Sequence, residues 1–157
     1  MQTISKFIII FFLFTLIIGC AVKPSESNVD FTYQITTSHD INPNINGQPS
    51  PVLVRVYQLS NKVNFQNATY EALFDNEHSA LGAEFISINE YLVHPNTSNP
   101  VQLQISENVK YLGVAVGYRS IDMVNWRAVV AVPENHFWRN LGIEIKVDTL
   151  SVRVIEL

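Results

Sequence analysis

The stretch that decides the fold is residues 52–59, which read Val52-Leu53-Val54-Arg55-Val56-Tyr57-Gln58-Leu59. Every second residue at the start of this stretch is a valine. Successive side chains of an extended chain point to opposite faces, so a period of two is typical of a β-strand. We predict that the three valines lie on one face of a sheet. Leu53, Arg55, Tyr57 and Leu59 would lie on the other face.

Segments with the same alternation recur on both sides of this strand. Upstream, Phe31, Tyr33 and Ile35 alternate with polar residues, which predicts a half-buried strand. Six more segments follow between turn residues, at 84–93, 101–105, 111–118, 126–132, 142–147 and 150–155. Pro95-Asn96 and Asn99-Pro100 are two of the predicted turns. Eight short strands with short connections predict an all-β fold, an eight-stranded antiparallel β-sandwich or barrel.

Residues 60–77 interrupt this pattern. Phe65, Leu73 and Phe74 lie at spacings that suit one or two short helical turns. Ser60 and Asn67 are the expected N-caps, because their side-chain oxygens can accept hydrogen bonds from the first N–H groups of a helix. We therefore predict one short helical insertion in the β fold.

The N-terminus has the pattern of a lipoprotein secretion signal. After Lys6, residues 7–18 form an apolar run that is too short to span a bilayer but suits a signal-peptide core. The run ends in Leu16-Ile17-Ile18-Gly19-Cys20, which resembles the lipobox of bacterial lipoproteins. The expected organisation is a signal peptide at 1–19, a lipidated Cys20 with a polar tether at 20–30, and a β-sandwich domain at 31–157. The alternative is an ordinary signal peptide followed by an incidental cysteine.

The residue after Cys20 and the charge of the chain bear on compartment and partners. An aspartate at the position of Ala21 commonly retains Gram-negative lipoproteins in the inner membrane, so its absence points to the outer membrane, facing the periplasm. The whole chain has a net charge of -4. Lys6 is the only charged residue in 1–19, so the mature chain moves to -5. Mild acidity without a basic cluster argues against nucleic-acid binding.

The longest predicted connection spans residues 38–50, between the first two strands. Loops of this length inside compact domains are usually functional. Ile41 and Ile45 are apolar among polar neighbours, and they either anchor a partner protein or pack back onto the end of the sandwich. The asparagines between them can bond a partner's backbone. The predicted partner-binding residues are Asp40, Ile41, Asn42, Asn44, Ile45 and Asn46.

The same loop has a superficial likeness to a calcium-binding loop. Oxygen-bearing side chains alternate from Asp40 onward, but only Asp40 is charged. Ile45 stands at the position of the turn glycine, and Pro51 at that of the bidentate glutamate. We therefore predict no metal site and no cofactor, and we expect the asparagines to stabilise turns of their own backbone.

Catalytic chemistry has little support in the sequence. No G-x-S-x-G motif is present, the single cysteine is assigned to the lipid, and no two histidines have the spacing of a helical zinc pair. Asp75, Glu77 and His78 are expected to lie at the end of the helical insertion. We predict that the protein is not an enzyme. The alternative function is a periplasmic β-sandwich that binds a small ligand or glycan by stacking on Trp126 or Trp138.

Several short motifs follow the lipobox in a characteristic order. They are residues 51–59, Phe65, Tyr70-Glu71-Ala72-Leu73-Phe74-Asp75, Leu81-Gly82-Ala83-Glu84, Tyr118-Arg119 and Trp126-Arg127. In this order and spacing they resemble the TssJ family, the outer-membrane lipoproteins of the type VI secretion system. The resemblance extends from the lipobox to the last strand.

This resemblance implies both a fold and a function. The family is known for a transthyretin-like sandwich of two four-stranded sheets with a short helical insertion. Its members bind the periplasmic C-terminal region of TssM, an inner-membrane protein, and tie the envelope complex to the outer membrane. The loop between the first two strands belongs to their contact surface, and here it corresponds to residues 38–50. The expectation is a lipid-anchored adaptor with a TssM-like partner.

Overall fold

The computed structural model describes residues 29–132 and 142–156, which form two packed sheets of four strands each. The strands are β1 (Val29–Thr37), β2 (Val52–Leu59), β3 (Phe85–Val93), β4 (Ser98–Ile105), β5 (Tyr111–Val116), β6 (Arg127–Ala131), β7 (Ile143–Val147) and β8 (Val152–Glu156). The first sheet has the order β4-β1-β7-β8 and the second the order β3-β2-β5-β6. The predicted β-sandwich of two four-stranded sheets is therefore confirmed.

One strand pair differs from the prediction of a wholly antiparallel sandwich. β1 and β7 run parallel, with Tyr33 opposite Ile143 and Thr37 opposite Val147. Only strands joined by a tight hairpin must be antiparallel, whereas β1 and β7 are separated by five other strands and begin at the same end of the sandwich. The other strand pairs of the two sheets are antiparallel.

The edge strand β4 is longer than predicted. It begins at Ser98 and includes Asn99 and Pro100, which the sequence indicated as a turn. Proline cannot donate a hydrogen bond to a sheet, but an edge strand has one side without a neighbour and tolerates it. Pro100 pairs with Gln34 of β1 in this position.

The faces of β2 are those predicted from the alternation. Val52, Val54 and Val56 are buried between the two sheets, in a core that also contains Phe31, Tyr33 and Ile35 of β1. On the outer face, Tyr57 and Leu59 are also fully buried, in a second apolar cluster with Phe65, Leu73 and Leu81. The second half of β2 is thus buried on both faces, because the helical insertion covers the outer face of its sheet.

The helical insertion consists of three short helices rather than one or two turns. They are α1 (Val63–Asn67), α2 (Tyr70–Asp75) and α3 (Glu77–Leu81), followed by a 3₁₀ turn at Gly82–Glu84. The predicted caps are wrong. Thr69 caps α2 by accepting a hydrogen bond from the N–H of Ala72, and Asn76 caps α3 by accepting one from the N–H of Ser79. Ser60 instead donates to the carbonyl of Ala83.

Two arginines attach the helices to the second sheet. The Arg55 guanidinium donates to the carbonyls of Leu73 and Phe74 at 2.9 and 3.0 Å. Arg127 donates to the carbonyls of Phe65 and Ala68 at 3.1 and 2.5 Å. These bonds occupy carbonyl groups that a helix end leaves without an internal partner.

A glycine allows the closest approach between α1 and this sheet. A Cβ at Gly113 would lie 2.9 Å from the ring of Phe65. Phe65 packs directly over Gly113, next to Tyr57, whose ring centroid is 5.4 Å from its own. Any larger residue at 113 would therefore have to displace this ring.

The strand directions define two opposite ends of the sandwich. β1 begins at one end, which we call the tether end because residues 20–28 precede it in the chain. Each odd-numbered strand runs away from this end and each even-numbered strand returns. The β1–β2, β3–β4, β5–β6 and β7–β8 connections therefore share the far end, which we call the loop end.

Candidate functional site

The loop end is built from connections that hydrogen-bond to one another. In the β3–β4 connection, Asn96 N–H donates to the carbonyl of Ser38 at 3.0 Å. Thr37 at the end of β1 donates through its hydroxyl to the carbonyl of His94 at 2.7 Å. The start of the long β1–β2 loop is thus held by hydrogen bonds against the β3–β4 connection.

Ile41 lies at the base of this loop, and the structure corrects its predicted role. Its side chain is fully buried in the core between the sheets, and its carbonyl accepts a hydrogen bond from Ser50 N–H at 3.1 Å. Of the two alternatives for an apolar residue in this loop, packing back onto the sandwich applies to Ile41. It is not available to a partner in this conformation.

Asn42 is also structural rather than exposed. It has a positive φ of 46°, a conformation that asparagine tolerates better than most residues. Its side-chain amide donates to the carbonyl of Pro51 at 2.9 Å, and its side-chain oxygen accepts from Arg119 N–H at 2.9 Å. Asn42 therefore closes the base of the loop and joins it to the β5–β6 connection.

The tip of the loop is a compact turn that presents Ile45 to solvent. Asn44 accepts hydrogen bonds through its side-chain oxygen from the N–H groups of Asn46 and Gln48, at 2.9 and 3.0 Å. Gly47 has a φ of 75°, and its N–H donates to the Asn44 carbonyl at 2.9 Å. Ile45 is completely exposed at the first position inside this turn. The predicted residues Asn44, Ile45 and Asn46 therefore lie together at the tip.

Asp40 links the β1–β2 loop to the β7–β8 connection. Hydrogen bonds from the side chain of Thr149 and then from that of Ser38 hold the pKa of the Asp40 carboxyl below its usual value. The Ser38 hydroxyl is 2.8 Å from the carboxylate. Asp40 is therefore already occupied by internal partners and supports the loop from its side.

The other two connections of the loop end are joined by Tyr118 and Asn125. The Tyr118 hydroxyl lies 2.8 Å from the carbonyls of both Asp148 and Ser151. Burial raises the pKa of this hydroxyl. Asn125 N–H donates to the carbonyl of Leu150 at 3.0 Å, which completes the link between the β5–β6 and β7–β8 connections.

Two exposed residues of the loop end were missed by sequence reasoning. Met123 lies in a 3₁₀ turn of the β5–β6 connection and is 79% exposed. Leu150 was assigned to the last strand, but β8 begins only at Val152 and Leu150 is 54% exposed. The signal that could have identified them is a large apolar residue inside a segment between strands.

The residues considered for chemistry or stacking are distributed elsewhere. Trp126 is half-buried, with the Arg127 guanidinium 4.7 Å above its ring and the Tyr70 ring edge-on at 5.4 Å. One face of the indole is thus covered by the protein itself. Trp138 lies outside the described residues, as does Cys20.

No metal-binding cluster occurs among the side chains of residues 29–132 and 142–156. Asp75 ends α2, Glu77 begins α3, and the ring of His78 packs on that of Phe85 at 4.3 Å. A cleft of about 380 Å³ opens between β3 and β4, and it is lined by Ile35, Glu90, Tyr91, Leu92, Val93, His94, Thr97, Asn99 and Val101. In the same part of the chain, no helix is long and apolar enough to cross a membrane.

The described residues thus form a β-sandwich with a helical layer on one sheet and one end formed by interlocked loops. A family model described as "T6SS-SciN: Type VI secretion lipoprotein, VasD, EvfM, TssJ, VC_A0113" matches residues 29–150. The chain therefore belongs to this family of type VI secretion lipoproteins.

Solved structures share the fold of this chain. The T6SS lipoprotein TssJ1 from Pseudomonas aeruginosa superposes with a TM-score of 0.77 and 26% identity, over 83% of this chain and 98% of that one. Serratia marcescens Lip, described as a membrane-bound component of the type VI secretion system, has a TM-score of 0.75 and 20% identity, over 82% and 97%. A chain of the structure described as "T6SS protein TssM C-terminal domain (869-1107) from EAEC" has a TM-score of 0.70 and 24% identity, over 83% and 100%. No curated protein matches the sequence.

Proposed function

We propose that the protein is a non-enzymatic adaptor that binds the periplasmic C-terminal region of a TssM-type inner-membrane protein and anchors it at the outer membrane. Membership of the type VI secretion lipoprotein family supports this proposal. A second support is that a chain with the same fold occurs in a solved structure whose description names the TssM C-terminal domain. The observation that carries the proposal is the exposed Ile45 on a rigid loop tip.

The tip has the properties of a protein-binding anchor. Binding energy at interfaces concentrates in a few apolar residues that become desolvated. A turn that is already closed by Asn44 and Gly47 loses little conformational freedom when a partner covers it, and preorganisation of this kind raises affinity. We therefore narrow the proposed contact surface to Ile45 with Asn44 and Asn46 beside it.

The strand directions suit a domain held between a membrane and a partner. The tether and its proposed lipid at Cys20 approach the domain at the start of β1, and the loop end lies at the opposite end of the same strand. Each buried acyl CH₂ contributes about 0.8 kcal/mol, so several acyl chains on one cysteine hold a protein firmly in a bilayer. An anchor of this kind leaves the loop end directed away from the lipid.

Lipid attachment at Cys20 is tested by metabolic labelling with a fatty-acid analogue. We expect the wild-type protein to carry the label and to fractionate with outer membranes. Cys20→Ser is expected to lose both properties, because the thiol is the only attachment point that the sequence offers. An unlabelled wild-type protein in the soluble periplasmic fraction would contradict the anchor and the compartment.

Ile45→Asp is expected to weaken binding to the TssM-type periplasmic region by at least about 2 kcal/mol, roughly 30-fold, because it places a charge in the centre of the contact. The measurement is titration calorimetry with the mature protein in detergent. Val63→Asp is the matched control, since Val63 is also an exposed apolar residue but lies at the start of α1, where an acidic residue is tolerated. Equal affinities of both variants would move the contact away from the tip, and no binding by the wild type would remove the adaptor role.

A further inference from the structure

Three of the six exposed large apolar side chains among the described residues lie in connections of the loop end, whereas Val63, Leu92 and Ile155 lie in α1, β3 and β8. Among the described residues, the two most exposed large apolar side chains are Ile45 and Met123, and Leu150 is exposed by more than half. They belong to three different connections, β1–β2, β5–β6 and β7–β8. Single exposed apolar residues are ordinary on a protein surface, but several at one end of a small domain indicate an interaction surface.

Hydrogen bonds fix these three connections relative to one another. Asn42 of the β1–β2 loop bonds to Arg119 N–H of the β5–β6 connection at 2.9 Å. The β5–β6 connection in turn bonds to the β7–β8 connection through Tyr118 and Asn125. The three apolar side chains are therefore carried on one interlocked frame, and a partner can meet them together without reordering the loops.

The point at which residues 20–28 join the domain argues that a protein, rather than a bilayer, covers this surface. Residues 20–28 join the domain at the tether end, whereas the three side chains lie at the opposite end of β1. β1 has 9 residues and therefore a length of about 30 Å. A bilayer that holds Cys20 would meet the loop end only if the tether folded back along the whole domain.

We propose that Met123 and Leu150, together with Ile45, form a three-point apolar contact with one partner surface. This inference rests on the proposed function, and the partner is the same TssM-type periplasmic region. That partner must have apolar recesses for the three side chains. Polar groups at the edges of these recesses would form hydrogen bonds with the backbone of the neighbouring loops. Met123 and Leu150 are thereby further specificity-determining residues beside the long loop.

The test is a set of single substitutions measured by titration calorimetry with the mature protein in detergent and the cognate periplasmic region. Met123→Asp and Leu150→Asp are each expected to weaken binding about tenfold or more. Binding energy is concentrated in a few desolvated residues, and each substitution replaces one of the three proposed apolar contacts with a charge. Val63→Asp is expected to bind within about twofold of the wild type. Thermal melting of all variants should coincide with the wild type, since each side chain is exposed.

The outcomes separate this inference from the proposed function. If Ile45→Asp weakens binding but Met123→Asp and Leu150→Asp bind like the wild type, the three-point contact is overturned and the adaptor role stands. If the wild type does not bind, both are overturned. A Met123→Asp variant that retains full partner affinity but loses self-association in sedimentation, or loses adhesion to lipid vesicles, would assign the surface to a second copy or to a bilayer instead.

Discussion

Val54→Asp is expected to prevent the domain from folding. The side chain of Val54 is fully buried between the sheets. Within its own sheet, Val54 pairs with Tyr91 of β3 on one side and with Val116 of β5 on the other. A buried carboxylate without a partner costs several kcal/mol, and even its protonated form loses the apolar contacts of the valine. Domains of this size are stable by only about 5–15 kcal/mol, so most of that margin would be lost.

The measurement is circular dichroism with thermal melting of the purified protein. Leu92→Asp is the matched control, because Leu92 lies on the neighbouring strand β3 but is largely exposed. We expect the control to melt close to the wild type and Val54→Asp to show no cooperative transition. If the two variants exchanged these behaviours, the faces of the second sheet would be reversed.

Ile41→Asp is expected to destabilise the domain almost as severely, although residue 41 lies in a loop. Its side chain is fully buried in the core, and removal of a buried isoleucine side chain alone costs about 2–5 kcal/mol. The aspartate adds an unpaired charge to that loss. Chemical denaturation of the purified protein should show a greatly reduced free energy of unfolding.

The control for this prediction is the same substitution four residues further on. Ile45→Asp is expected to leave stability unchanged, because Ile45 contacts solvent, and to reduce only partner binding. The two isoleucines of one loop thus separate folding from recognition. A folded Ile41→Asp protein with wild-type stability would show that the base of the loop does not pack as described.

The strands were predictable from the sequence because one period of alternation determines both the strand and its faces. The valines of β2 and the aromatic residues of β1 lie between the sheets as expected. The parallel pairing of β1 and β7 was not predictable, since it depends on which distant strands become neighbours rather than on any local pattern. The caps of the helices were misplaced because many polar residues near residue 60 are chemically able to cap.

The candidate site could be predicted only in part. The sequence correctly predicted a long loop at residues 38–50 between the first two strands. It did not show that Ile41 is buried in the core while Ile45 is exposed. Their difference comes from tertiary structure, because Asn42 turns the chain at the base and Asn44 closes the tip. Met123 and Leu150 could have been noticed as apolar residues between strands, but only the hydrogen bonds between separate connections place them at the same end as the long loop.

The central position of β1 in its sheet has a mechanical consequence. This strand pairs with β4 over eight residues and with β7 over five, so it has neighbours on both sides. Tension applied between its start and the opposite end of the domain runs along the strand, while the bonds to β4 lie across that direction. Those bonds are loaded in shear and must yield together, instead of opening one after another as in a peeled hairpin. A pull along β1 is thus resisted by all the bonds to β4 at once, and the domain does not unravel from the start of this strand.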